Sequence, residues 1–183
     1  MKNWQTLARH TILDHSDFLR VENHIVELPD GTLIDDWAWV ITPDFVNVIA
    51  VTEDHKVLCF RQFKYAVQGL TLAPVGGHID PGEDSLGAVQ RELLEETGYE
   101  AAEWIHLGSF SAMANRGGAT GHSYLARGAR PVATPNSDDL EEQELLFLDI
   151  DEFEQAVLQG EFKVFSWTTT AALALMHLKR ETD

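Results

Sequence analysis

The chain has 183 residues, is 44% apolar and carries a formal charge of −17. That length suits one domain with a sizeable core, alone or with a small extension, and the apolar share excludes wholesale disorder. So acidic a surface repels nucleic-acid backbones and anionic membranes, so neither is an expected partner, and a phosphorylated substrate would need local cations.

The first residues, Met1-Lys2-Asn3-Trp4, contain no apolar stretch of the kind that directs secretion. The most apolar segment, residues 171–176, is far too short to span a bilayer. A cytoplasmic protein is the resulting expectation. Residues 18–28 read as a strand ending in Pro29-Asp30-Gly31, a strong turn signal. Residues 32–41 return as the second strand of that hairpin, with Trp37, Trp39 and Ile41 alternating against Asp36, Ala38 and Val40. Residues 45–52 and 56–63 form another strand pair around Glu53-Asp54-His55, rich in Val, Ile and Phe. Cys59, the one cysteine, falls in the apolar run Val57-Leu58-Cys59-Phe60 and reads as a buried, inert thiol.

Glycine and proline cluster over residues 74–82 and mark a tightly bent loop. A helix follows, capped by Asp84 or Ser85 at its start and by Gly98 at its end. Residues 105–111 and 122–126 read as strands, residues 134–144 as a polar, acidic loop, and residues 145–150 as a short strand. Helices are expected over residues 151–159, ended by Gly160, and over residues 168–179. Strands and helices mixed without regular βαβ alternation predict an α+β fold, a mixed sheet flanked by helices. Residues 1–44 form an N-terminal antiparallel β extension in this reading, and residues 45–183 the main domain.

The chemistry concentrates between Gly77 and Tyr99. Residues three and four apart share a helix face, so Glu92, Glu95 and Glu96 project within an arc of about 100°. Leu86, Val89 and Leu93 occupy the opposite side and face the core in this reading. Like charges at that spacing cost roughly 0.2–0.5 kcal/mol per pair. The helix dipole disfavours each anion in the last turns by a further ~0.3–1 kcal/mol. A divalent cation reverses the sign of both effects, and carboxylate oxygens are the donors that Mg²⁺ prefers.

Gly77, five residues, Glu83, seven residues, then Arg91-Glu92-Leu93-Leu94-Glu95-Glu96-Thr97-Gly98-Tyr99 resembles the Nudix box at every defining position. At ordinary residue frequencies such a match arises by chance on the order of 10⁻⁸ to 10⁻⁹ per starting point. The resemblance implies an α/β/α Nudix sandwich and a metal-dependent hydrolase. It implies that Glu92 and Glu96 ligate Mg²⁺ (or Mn²⁺), that Glu95 is a third ligand or stands close behind them, and that the backbone carbonyl of Gly76 completes the site. Glu83 and Arg91 would pair and brace the loop, with Gly77 and Gly98 as structural positions of the box.

The rest of the chain is most similar to the branch of the family that hydrolyses ADP-ribose and nucleoside diphosphate sugars. On that likeness the substrate is a nucleoside diphosphate joined to another group, cut to a nucleoside monophosphate and a phosphorylated product. Hydrolysis of a nucleoside triphosphate, or a non-catalytic ligand sensor, are the alternatives. Gln62-Phe63-Lys64 stands where the branch has Gln, an apolar residue and Arg, which makes Lys64 and its neighbour Arg61 either phosphate contacts or solvated strand-end charges. The acidic run Asp138-Asp139-Leu140-Glu141-Glu142-Gln143-Glu144 resembles the loop that supplies a catalytic base, with Glu142 or Glu144 in that role. Members of this branch are commonly homodimers with crossing N-terminal strands. Trp37 and Trp39 would then stack a nucleobase or seal an interface, or else pack locally. The chain departs from the branch at Ala73-Pro74-Val75-Gly76-Gly77, which lacks a glutamate, and at Asn115-Arg116-Gly117-Gly118-Ala119-Thr120-Gly121-His122, which lacks the usual proline and acid. Arg116 and His122 are candidates to contact a different terminal group. His24, His55 and His106 have no ligand-like spacing and read as structural or surface residues.

Overall fold

The computed structural model describes residues 2–136 and 142–180, which divide into two compact units. The first comprises the chain up to Asp44 together with residues 110–120. It is built on an antiparallel meander of β1 (Gln5–Ser16), β2 (Leu19–Glu27) and β3 (Leu33–Ile41). The turn between β2 and β3 follows from its residues. Gly31 adopts a φ of 87° and donates its N–H to the Leu28 carbonyl at 2.9 Å, while Asp30 Oδ1 accepts from the Thr32 N–H at 2.9 Å. Strand β1 lay outside the sequence reading. Its residues are nearly all exposed and its register with β2 shifts in three places, so no two-residue alternation betrays it.

The second unit comprises residues 45–109 and 121 onward. Its strands are β4 (Phe45–Thr52), β5 (Val57–Phe63), β6 (Leu70–Ala73), β7 (Tyr99–Glu100), β8 (Glu103–Met113) up to Ser109, β9 (Gly117–Pro131) from Gly121, and β10 (Gln143–Leu148). Its helices are α1 (Ser85–Thr97), α2 (Ile150–Leu158) and α3 (Phe165–Lys179). Strand β4 pairs parallel with β9 and antiparallel with β5, and β5 pairs antiparallel with both β6 and β10. Successive residues of β4 point to opposite faces. Val46, Val48 and Ala50 pack with Val89 and Leu93 of α1; Ile49 and Val51 pack with Phe153 of α2 and with Ala171, Ala174 and Leu175 of α3. Both faces are covered, so β4 is apolar almost throughout. Each fully buried Val, Ile or Leu here contributes about 1.5–3 kcal/mol.

Several boundaries differ from the sequence reading. Strands β6 and β7, four and two residues long, are too short to show periodicity. Helix α3 begins at Phe165, not residue 168. Strand β10 begins at Gln143, so Glu144 lies on a strand and not in the acidic loop. Residues Asp138 to Glu141 of that loop lie outside the described residues. Leu86 is 41% exposed, and the buried face of α1 is instead Ala88, Val89, Leu93 and Thr97. Among the described residues no helix is long and apolar enough to cross a membrane.

Candidate active site

The loop before α1 is tied to the edge of β4. Val48 and Val75 exchange backbone hydrogen bonds at 2.8 and 3.2 Å, and the Val46 N–H donates to the Gly77 carbonyl at 2.9 Å. Gly76 must be glycine for this approach, because a Cβ there would lie 2.1 Å from the Val46 carbonyl oxygen. Helix α1 starts at Asp84, whose Oδ1 accepts from the Gly87 N–H at 2.7 Å. It stops at Gly98, left-handed at φ 75° and pressed against the Ala133 carbonyl. Of the two candidate caps, Asp84 does the work. With Val89 and Leu93 fully buried, the helix cannot rotate, and its polar stripe is fixed toward the loop.

Two carboxylates from successive helical turns meet the two glycines. Glu96 Oε2 accepts from the Gly76 N–H at 3.1 Å. The Glu92 carboxylate occupies the place a side chain on Gly77 would take, 2.4 Å from an ideal Cβ. Arg91 binds Glu83, Glu92 and Glu95. Its Nε and Nη2 donate to Glu83 Oε1 and Oε2 at 3.1 and 3.0 Å, a bidentate pair. Its Nη1 donates to Glu92 Oε1 at 2.8 Å and Glu95 Oε2 at 3.1 Å, and Nη2 also reaches the His78 carbonyl at 3.1 Å. The hydrogen bond from Arg91 holds the Glu83 carboxyl below its ordinary range, and Glu83 in turn pushes the guanidinium further up.

One guanidinium, that of Arg91, stands among four glutamates here, with Asp80 and Asp84 on the same loop. The donors are all oxygens, from carboxylates and the adjacent loop backbone, the set that a hard divalent cation takes. Glu92 and Glu96 over the glycine pair fit such an ion. Among the described residues no group of three or more His, Cys, Asp or Glu stands assembled to hold a metal. A groove of about 370 Å³ beside this helix is lined by Gln90, Arg91, Leu94 and Trp104, among others. A larger cleft of about 920 Å³, with Val51, His55, Ile150 and Leu178 in its wall, contains no residue of the loop or of α1.

The other candidate residues are distributed as follows. On β5 and β10, Arg61 and Glu144 stand opposite each other and form an exposed ion pair at 3.3 Å. Lys64 follows the end of β5, and Glu142 is exposed just before β10. Trp37, Trp39 and Arg116 belong to the first unit. There the Arg116 guanidinium lies 3.9 Å over the Trp37 ring, whose Nε1–H donates to the Asn115 carbonyl at 2.8 Å. Trp4 meets the same ring edge-on, and Trp39 stacks on the buried His24, itself 2.9 Å from Glu22. Both indoles thus have packing partners within their own unit. His106, read from the sequence as structural or surface, is exposed and shares a hydrogen-bond chain with Ser109 and His122, in the second unit. No spacing within either strand signals that chain, which depends on how the two strands lie together.

The NUDIX domain model matches residues 42–174, and the model of the nucleoside diphosphate sugar hydrolase N-terminal domain matches residues 4–40. The chain belongs to the Nudix family and is a Nudix hydrolase. It is 29% identical over 167 residues, covering 91% of this chain and 80% of the relative, to the CMP-5'-(N-acetyl-N-hydroxy-3-aminopropyl)phosphonate hydrolase of Streptomyces rubellomurinus. To the methanol dehydrogenase activator of Bacillus methanolicus it is 29% identical, over 84% of this chain and 82% of the relative. To the ADP-ribose pyrophosphatase of Bacillus subtilis it is 33% identical, over 46% of this chain and 45% of the relative. The crystal structure of an ADP compounds hydrolase shares the fold, with a TM-score of 0.80 at 19% identity over 99% of this chain and 97% of that one.

Proposed function

We propose that this protein hydrolyses the pyrophosphate bond of a nucleoside diphosphate linked to another group, of the ADP-ribose or nucleoside diphosphate sugar type. The products are a nucleoside monophosphate and a phosphorylated remainder. The observation that carries the reading is the pair of carboxylates, Glu92 and Glu96, brought against Gly77 and Gly76. Mg²⁺, or Mn²⁺ in its place, would be held by Glu92 and Glu96 with the Gly76 carbonyl, and Glu95 as a third ligand or close behind. Such an ion neutralises a diphosphate and lowers the pKa of a bound water.

The protein's own share is positioning and charge placement. Arg91, clamped by Glu83, holds the orientation of the glutamate stripe. Lys64 and Arg61 supply cations for phosphoryl oxygens, and Glu142 or Glu144 takes the proton from the attacking water. Glu144 is already engaged by Arg61 and Glu142 is exposed, so the Glu→Gln variants of both separate the two assignments. The match of residues 4–40 to a nucleoside diphosphate sugar hydrolase module favours a diphosphate-linked substrate over a triphosphate. Retention of every box glutamate favours an enzyme over a sensor. We assign residues 1–44 as the extension and 45–183 as the hydrolase domain.

The reading is tested by incubating the protein with Mg²⁺ and ADP-ribose, ADP-glucose, UDP-glucose or CDP-choline and measuring nucleoside monophosphate release. At least one compound should be cleaved, and Glu96→Gln should slow that reaction at least about tenfold while leaving the fold intact. Release from none of the four, or an undiminished rate in the variant, contradicts it. Trp4, Leu7, Ile12 and Leu13, all exposed on or beside β1, support a homodimer. Light scattering should then give twice the chain mass of 20.5 kDa, and the single-chain mass would refute it.

A further inference from the structure

Outside the glutamate stripe, a second polar constellation lies on the face of β8 and β9 turned toward α1. Ser109 Oγ is 3.0 Å from His106 Nε2 and 2.8 Å from His122 Nδ1, so one hydroxyl bridges two imidazoles. The His106 ring also lies 5.0 Å from that of Tyr124, whose hydroxyl is 2.7 Å from Ser85 Oγ at the start of α1. The face is fixed by register. His122 stands opposite Val46 and Tyr124 opposite Val48, and Val46, Val48 and Tyr124 all belong to the core beneath α1. His122, two residues before Tyr124, shares that face and is only half-buried.

Its position relative to the glycine pair follows from the pairing. Val46 lies between His122 on β9 and Gly77 on the loop. Two strand spacings separate the backbones of His122 and Gly77, about 10 Å. That is the reach of a diphosphate carrying one further ring or chain. A hydroxyl can accept from one imidazole while donating to the other. When His106 Nε2–H donates to Ser109 and Ser109 donates to His122 Nδ1, the proton of His122 is on Nε2. Phosphoryl oxygens only accept hydrogen bonds, and sugar hydroxyls also can, so this direction of the chain matches such a ligand.

We propose that His122, held in one tautomer by Ser109 and His106, donates through Nε2–H to an oxygen of the group linked to the nucleoside diphosphate. It is a specificity-determining residue, and Ser109 and His106 are positioning residues. This assignment rests on the diphosphate-linked reading above. The assignment confines this contact to the linked group, so a plain nucleoside diphosphate should bind independently of it.

The test takes whichever of the four compounds is hydrolysed best, with the plain nucleoside diphosphate as a competitive inhibitor. His122→Ala and Ser109→Ala should raise KM for the linked compound about tenfold with kcat within about twofold, as expected for one lost binding hydrogen bond. The inhibition constant of the plain diphosphate should stay at the wild-type value, and His122→Gln, which keeps a donor, should recover most of the loss. In ¹⁵N spectra of the imidazoles, His122 should carry its proton on Nε2, and Ser109→Ala should disturb that state. If His122→Ala weakens the linked compound and the plain diphosphate equally, or neither, the assignment fails while the enzyme reading stands. If the wild type hydrolyses none of the four compounds, the enzyme reading fails and takes this assignment with it.

Discussion

Arg91 shows how one side chain reconciles several charges that would otherwise repel. Its guanidinium bonds to Glu83, Glu92, Glu95 and the His78 carbonyl, so both ends of the box are joined through a single planar fork. The bond with Glu83 has a consequence for acid stability. A carboxyl whose folded pKa is depressed stabilises the fold fully above its unfolded value, near 4.5, and loses that contribution as pH falls through the lower folded value. Urea midpoints should therefore show Glu83→Gln less stable than wild type at pH 7, with the gap closing below about pH 4.5. A gap that stays constant down to pH 3 would show that the pair contributes nothing through ionisation.

At the scale of elements, the loop and α1 separate two demands that neighbouring glycines meet. An added Cβ on Gly76 meets backbone, the Val46 carbonyl at 2.1 Å, whereas one on Gly77 meets the end of a flexible side chain, Glu92. Gly76→Ala should thus cost stability, on the order of 1–3 kcal/mol for overpacking against fixed backbone. Gly77→Ala should retain most of its stability but displace Glu92 and lose activity. Thermal melts and turnover measured on the two variants check this, and a reversed pattern would contradict it. These elements were legible in the chain because their determinants are local. Asp84, Gly98 and the spacing of Val89, Leu93 and the glutamates all lie within one loop and helix. Where the determinants are not local, the chain is silent. The twelve residues of β1 have no buried face of their own, and Glu144 becomes a strand residue only because Phe60 and Arg61 offer a partner. Leu86 fits the helical spacing yet stays exposed, since the core beneath α1 is centred on Val89 and Leu93. The His106–Ser109–His122 chain likewise exists only once β8 and β9 are side by side.

For the molecule as a whole, a charge of −17 and an anionic substrate are compatible only if positive charge is gathered where the phosphates bind. Arg91 is consumed by glutamates, and Arg61 is paired with Glu144. In the proposed reading a divalent ion held by Glu92 and Glu96 is therefore added to Lys64 and Arg61, and would supply the further positive charge a diphosphate calls for. Titration calorimetry with Mg²⁺ and Mn²⁺, alone and with ADP-ribose present, measures this directly. Wild type should bind the ion, and Glu92→Gln combined with Glu96→Gln should weaken that binding at least about tenfold, as expected for removing two charged ligands. Absence of ion binding by the wild type under both conditions, or undiminished binding by the double variant, would contradict the account.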